Sequence, residues 1–395
     1  MAVVILAGLA LATIPRAAAA REVVDLAGRH VTVPDHPQRV LLGEGRFVFA
    51  MAILDRDDPV KRVVGWQGEL KAQDPYAWQQ LVTRYPAAAK VPLIGQRSES
   101  SVSPEKIVSL RPDVAIFGLS GHGPGVNNPM IKPLQDAGIP IVFIDFREHP
   151  VEHTVASMRV LGQVLDREKA AQAYVDFYED GLRRVRAVVD PVPLEQRPRV
   201  FVEMLAGVWP ACCHSTGKGN FGDLVVAAGG RNVAADVLPG AIGDVSLEYL
   251  MQARPDVYVA TGSRSDPLKP GLLAGPGIVA DVSARSLSKV LAREGIRDLD
   301  AVRRGRTLGI WHAYYNSPYN IIAIEALARL FYPRAGATLD PETDMARLYR
   351  DFVRLDPNGT YWTAAAGPAA APAAPATSAA AGSIEAPVAP ANAAR

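Results

Sequence analysis

The stretch "VSPEKIVSLRPDV" at residues 102–114 returns, altered, as "VSLEYLMQARPDV" at residues 245–257. Seven of the thirteen positions are identical, and the second copy starts 143 positions after the first. Ser103 and Ser246 are suited to cap a helix, their hydroxyls accepting a backbone N–H that has no partner within the helix. Pro104 fits the first helical position, where no N–H is needed, and Leu247 replaces it in the second copy. Glu105 and Glu248 fall in the first turn, where the helix dipole favours an anion. Arg-Pro-Asp-Val then stops each helix at Pro112 or Pro255 and launches a strand. One α/β unit written twice predicts two similar lobes.

The pattern continues outward. Short apolar, β-branched runs predict buried strands at 39–43, 62–66, 91–95, 113–119 and 140–146, with helical stretches such as 103–110 and 128–137 between them. Residues 166–189 carry the longest helical pattern, with Asp166 as N-cap and Ala170, Ala173, Tyr174, Phe177 and Leu182 on one face. Strands resume at 199–205, 256–261 and 307–311, with helices at 221–228, 321–331 and 342–355. The expected fold is α/β: two Rossmann-like lobes with parallel sheets, an N-lobe over about 34–165 and a C-lobe over about 197–336, joined by one rigid helix at 166–189. The binding domain is expected over 39–336 and a C-terminal helix over 337–362.

The two ends differ from this core. Residues 1–20, "MAVVILAGLALATIPRAAAA", read as a signal peptide with an apolar core too short for a membrane span, although no Lys or Arg precedes it. Residues 363–395 hold 17 Ala and 5 Pro and almost no large apolar side chains, which predicts a disordered tail. The only cysteines are Cys212 and Cys213. They form either a disulfide between neighbours or two thiols in a turn, and neither lies near the N-terminus, where a lipid anchor would need one. With 42 basic and 41 acidic residues there is no basic excess to suggest a nucleic-acid partner.

In this combination the sequence resembles the periplasmic substrate-binding proteins of ABC importers for ferric siderophores, haem and cobalamin. The resemblance covers about residues 22–334 and rests on the doubled phrase, on "GKGNFGDLVVAAGGRNVAAD" at 217–236, on "AVRRGRTLGIW" at 301–311 and on the long helix after "IVFIDF". It implies a ligand cleft between two lobes, export to the periplasm as a soluble monomer, and no catalysis or cofactor. It also implies that Glu105 and Glu248, one per lobe, dock on the two halves of an ABC permease dimer served by a cytoplasmic ATPase.

Ligands of open α/β sheets bind beyond the carboxyl ends of strands. Those positions offer Arg46, Trp66, Arg147, Trp209, Tyr314 and Tyr315 as ligand-binding residues. Arginines pair with carboxylate or catecholate oxygens and aromatics cover an apolar body, as a ferric chelate needs. Trp311 reads equally as core or cleft. "GKGNFG" at 217–222 matches a dinucleotide fingerprint but does not follow its strand directly, so it reads as a helix start. His149 and His153 have metal-ligand spacing without a third ligand, so no metal site is expected. Glu44 and Glu203 lack the company of a nucleophile. Haem or cobalamin binding is the alternative reading. A free-metal binder, an α/β enzyme and a sensor partner follow behind it.

Overall fold

The apolar runs become short strands, and the segments between them become helices. The computed structural model of the protein describes residues 20–209, 212–263 and 271–365. In the N-lobe a hairpin of β1 (Ala20–Val24) and β2 (His30–Pro34) comes first. Then follow β3 (Val40–Leu42), α1 (Val48–Leu54), β4 (Val63–Gln67), α2 (Glu69–Gln73), α3 (Pro75–Arg84) and β5 (Leu93–Gly95). The lobe is completed by α4 (Pro104–Leu110), β6 (Val114–Gly118), α5 (Ile131–Asp136) and β7 (Ile141–Ile144). Among the described residues its main sheet has five parallel strands in the order β5-β4-β3-β6-β7. Strands β6 and β7 are buried throughout, which explains their unbroken apolar sequence.

Two helices leave this lobe, α6 (Pro150–Leu165) and α7 (Glu168–Val189). Asp166 does not cap α7 as the sequence suggested. It closes α6 in the left-handed conformation (φ 56°), and Arg167 stands before α7 without a side-chain cap. Helix α7 has 22 residues and spans roughly 33 Å at the standard rise. It buries Tyr174, Phe177, Tyr178 and Val185, each contributing about 1.5–3 kcal/mol of transfer free energy. The Tyr178 hydroxyl donates to Asn320 Oδ1 (2.8 Å), and Asn320 Nδ2 donates to Thr154 Oγ1 (3.0 Å), so α6, α7 and a C-lobe helix share one buried polar clasp.

The C-lobe contains β8 (Arg199–Glu203), β9 (His214–Thr216), α8 (Phe221–Ala227), β10 (Arg231–Asn232), β11 (Ile242–Asp244), α9 (Leu247–Ala253) and β12 (Val257–Gly262). It continues with β13 (Gly275–Pro276), α10 (Ala280–Leu291), α11 (Asp300–Arg303), β14 (Thr307–Trp311) and α12 (Asn320–Phe331). The chain returns through α13 (Pro341–Asp351), β15 (Gly359–Thr360) and β16 (Trp362–Thr363). The sheet runs β11-β9-β8-β12-β14-β16, with β10 also on β8. Its centre is parallel, as expected, and β9, β11 and β16 add antiparallel strands toward its two edges.

Other boundaries move as well. The hairpin belongs to the N-lobe: Leu26 N–H donates to Phe143 O (3.0 Å), and the Arg29 guanidinium to Ile141 O (2.7 Å). The expected helix at 337–362 is α13 followed by two short strands, because Trp362 and Thr363 pair with Ile310 and Gly309 at the sheet edge. Thr363 is therefore part of the sheet and not of a tail. The expected signal peptide, apart from Ala20, and the Ala/Pro-rich stretch from 366 lie outside the described residues. Among the described residues no helix is long and apolar enough to cross a membrane.

The doubled phrase folds as two copies of one device. Ser103 Oγ accepts from Lys106 N–H and Ser246 Oγ from Tyr249 N–H, both at 3.1 Å. Arg111 and Arg254 end their helices in the left-handed region, at φ 43° and 42°. Asp113 and Asp256 each accept the N–H of the arginine that opens the neighbouring strand, Arg39 and Arg199, at 2.8 Å.

Candidate functional site: the cleft between the lobes

The carboxyl ends of β3, β4, β6 and β7 face those of β8, β12 and β14 across a cleft. After β3 the chain turns sharply at Glu44-Gly45-Arg46, where a Cβ on Gly45 would meet Gln67 O at 2.7 Å. Glu69, at the start of α2, accepts the N–H groups of Gly45 (2.9 Å) and Arg46 (2.8 Å) and so fixes this turn. Burial, and then the neighbouring Glu44 carboxylate, push the Glu69 carboxyl up to about 7.

Arg46 is only 2% exposed. Its Nη2 donates to Gln73 Oε1 (2.6 Å) and its Nη1 to the Tyr315 hydroxyl (3.3 Å), while Nε has no partner among the described residues. Arg147, after β7, also keeps a partnerless Nη1. Its guanidinium carbon lies 5.7 Å from the Tyr315 ring centroid, and that of Arg46 lies at 5.9 Å. Tyr315 therefore carries two cations on its ring.

Two imidazoles complete the wall. His122 comes from the Gly-rich loop after β6, and its backbone N–H donates to Glu44 Oε1 (3.1 Å). Gly121 in that loop has φ 147°, and a Cβ there would sit 2.0 Å from Glu44 Oε1, so only glycine fits. Burial pushes the His122 imidazole down to about 4; the Arg46 and Arg147 guanidiniums act the same way, and Glu44 opposes them. Burial, helped by both arginines, also holds His312 well below its ordinary value. Both rings are therefore neutral at pH 7. His312 Nδ1 pairs with Thr261 Oγ1 (2.9 Å), whereas His122 Nε2 is buried without a partner among the described residues.

The lobes meet in a closed state. Asn316 Nδ2 donates to Glu44 Oε2 (2.9 Å), Trp311 Nε1 to Asp74 Oδ2 (2.6 Å) and Ser263 Oγ to Gln73 O (3.2 Å). Between them remains a cavity of about 260 Å³, with Arg46, Gln73 and His122 on one side and Trp209, His312 and Tyr315 on the other. A larger hollow of about 670 Å³ lies near the amino ends of the N-lobe strands, beside Asp55, Arg62 and Arg167. Two of its cations, Arg62 and Arg167, already pair with Asp55, at 2.6 and 2.8 Å.

Of the residues expected from sequence, Arg46, Tyr315 and Trp209 line this cavity, and Arg147 stands against the Tyr315 ring. Trp209 stands 41% exposed, with its ring 4.8 Å from that of His214. Trp66 and Tyr314 do not reach the cavity. Trp66 is 1% exposed and packs on Trp78 (5.8 Å) inside the N-lobe. Tyr314 is fully buried against Trp311 (5.3 Å), because it points to the opposite side of its turn from Tyr315. Trp311 is core as well. Sequence reasoning passed over Gln73, His122 and His312. The last two come shortly after strands, His122 after β6 and His312 directly after β14, which is the available signal. His149 and His153 pair instead with Asp223 (3.4 Å) and Asp145 (2.7 Å).

Glu105 and Glu248 are both exposed. Helices α4 and α9 each end where the next parallel strand begins, so their first turns lie at the strands' carboxyl side, the side of the cleft. The Glu105 carboxyl is held low by the helix-terminal N–H and by Ser103 Oγ, which donates to it (2.9 Å).

Two α/β lobes, one long connecting helix and a charged cleft at the strand ends define a two-lobed solute-binding protein. The chain belongs to the periplasmic binding protein family, whose profile matches residues 61–310. It is similar to the TroA-like periplasmic binding protein FepB of Veillonella parvula, at 24% identity and a TM-score of 0.78 over 87% of this chain and 99% of that one. It also resembles the molybdate periplasmic binding protein MolA of Haemophilus influenzae, at 19% identity and a TM-score of 0.64 over 85% of this chain and 100% of that one. A cobalamin-binding protein of Halobacterium salinarum is 28% identical over 220 residues, 54% of this chain and 55% of that protein. The chain thus spans about half the length of the curated relatives it matches.

Proposed function

We propose that this protein captures an anionic metal chelate of the ferric-siderophore kind in the periplasm and hands it to an ABC permease, without chemistry of its own. The carrying observation is the pair Arg46 and Arg147, which beside the shared Tyr315 ring each keep one buried N–H donor, Nε and Nη1, without a partner among the described residues. Such donors are costly unless a ligand supplies acceptors, and oxygen-rich anions do so best. At about 260 Å³ the closed cavity falls below the roughly 300–1,000 Å³ usual for bound organic ligands. Uptake of a chelate therefore requires the lobes to part by a small hinge motion about α7. Exposed Glu105 and Glu248, equivalently placed on the two lobes, supply the docking contacts with the two permease subunits.

A second reading, cobalamin as ligand, is favoured by the similarity to the Halobacterium protein. Titration of Trp209 fluorescence with ferric catecholates, ferric hydroxamates, haem and cobalamin separates the two. Saturable quenching by a ferric chelate is expected. Quenching by cobalamin alone moves the assignment to the second reading, and silence toward all of them overturns the receptor assignment.

A further inference from the structure

Cys212 and Cys213 are joined as a disulfide, and the ligand reading gives them no part. They lie in the chain between Trp209 and His214, both of which line the cavity. Cys213 is buried, with its N–H and carbonyl paired to Val245 (both 2.9 Å), while Cys212 is half-buried. The two sulfurs and a carboxylate oxygen of Glu203 all lie within 4.8 Å of one another. Glu203, the last residue of β8, is 3% exposed. Arg293 grips it at two points (Nη1 to Oε1 2.8 Å, Nη2 to Oε2 2.5 Å), the Tyr258 hydroxyl donates to Oε2 and the Gly207 N–H to Oε1 (3.3 Å), so a metal bound here takes the place of one of these donors.

We propose that the reduced Cys212–Cys213 pair, together with Glu203, binds a thiophilic divalent cation such as zinc(II) or cadmium(II) beside the ligand cleft. Opening the disulfide needs an external dithiol, which supplies two electrons and two protons and leaves as its own disulfide. Each thiol then releases its proton to solvent as its sulfur bonds to the metal. Two thiolates and one carboxylate carry three negative charges, which the cation and the Arg293 guanidinium cancel. Before loading, the thiols are neutral and Glu203 and Arg293 cancel each other. The pocket is electroneutral in both states, as a buried site demands. Two sulfur donors select soft zinc or cadmium over calcium or magnesium, which prefer all-oxygen ligands. The half-buried side at Cys212 leaves room for water as a further ligand.

The test is a cadmium titration of the full chain, reduced with a dithiol and freed of it under argon. A single cadmium ion bound, with the ultraviolet sulfur-to-cadmium charge-transfer band, is expected. The oxidised protein and the double variant Cys212→Ser/Cys213→Ser should show no band. Glu203→Gln should weaken binding about 10- to 100-fold. Because Glu203→Gln leaves Arg293 without its partner, circular dichroism checks its fold; if it unfolds, the single variant Cys212→Ser, expected to lose tight binding, decides. A reduced wild-type protein with both thiols free and no band overturns the proposal. So does a band that survives in the double variant, or undiminished affinity in folded Glu203→Gln.

Discussion

Arg46 donates a hydrogen bond to the hydroxyl of Tyr315, a residue 269 positions away on the other lobe. The contact is long at 3.3 Å and leaves the guanidinium Nε free. It joins the two lobes across the cleft, and a carboxylate or catecholate oxygen is a stronger acceptor than this hydroxyl. Arg46→Gln should therefore weaken capture of an anionic chelate about 10- to 100-fold, the value of a buried charged hydrogen bond of about 1.5–3 kcal/mol. Calorimetric titration checks this, and unchanged affinity would remove Arg46 from the site.

Reversing Glu105 and Glu248 to Lys touches neither the cavity nor the core. Ligand affinity should stay at the wild-type value and the melting temperature should fall only slightly, a charge at a helix start being worth about 0.3–1 kcal/mol, while transport into cells is lost. Uptake measured with labelled ligand in a strain carrying only the double variant decides the matter. Normal uptake would leave these glutamates as helix-capping residues alone.

Glu325 on α12 is fully buried, with Oε1 accepting from Arg184 Nη2 (2.8 Å) and Asp344 alongside. Burial, and then the Asp344 carboxylate, push its carboxyl from 4.5 up to about 8. A raised acid binds its proton more tightly in the folded state. The stability it gives is complete below about 4.5 and is lost as pH rises through about 8. Thermal melts between about pH 5 and about pH 9 should show this loss in the wild type and a flatter profile in Glu325→Gln. Parallel profiles for the two proteins would contradict the protonated state.

Gly181 lets α7 approach α12: a Cβ there would lie 2.6 Å from Ile321 Cγ1. Gly181→Val should cost about 2 kcal/mol, seen as a lower urea midpoint, because two packed helices must separate. An undisturbed midpoint would mean that the helices slide without penalty.

The lobes, their order and the connecting helix were legible because parallel strands buried on both faces leave unbroken apolar runs, as in Ile141–Ile144. The doubled helix start was legible because capping is local: Ser103 and Ser246 need only the residues three positions on. The cleft was half legible. Arg46 and Arg147 stand directly after strands, whereas Tyr314 and Tyr315 are neighbours whose opposite fates depend on one turn. Trp66 failed for a related reason, since strand alternation aims it into the lobe while Gln67, the next residue, faces the Gly-rich loop and donates to His122 O (2.6 Å). Strands β9, β11 and β16 were missed because two or three residues are too few to show a period.

The C-terminal segment has a consequence for how the chain matures. Before β16 it grips the N-lobe, with Arg354 on Asp57 (2.8 Å) and the Arg56 guanidinium on Arg350 O (2.5 Å). It then seals the C-lobe by pairing with β14, a partner roughly 50 residues earlier in the chain. Until that stretch has been made, β14 presents a bare edge ready to recruit foreign strands. Synthesis and completion of the sheet are thus coupled in time: the edge is protected only once residue 363 has been made, and a chain stopped short of it keeps that edge open to foreign strands.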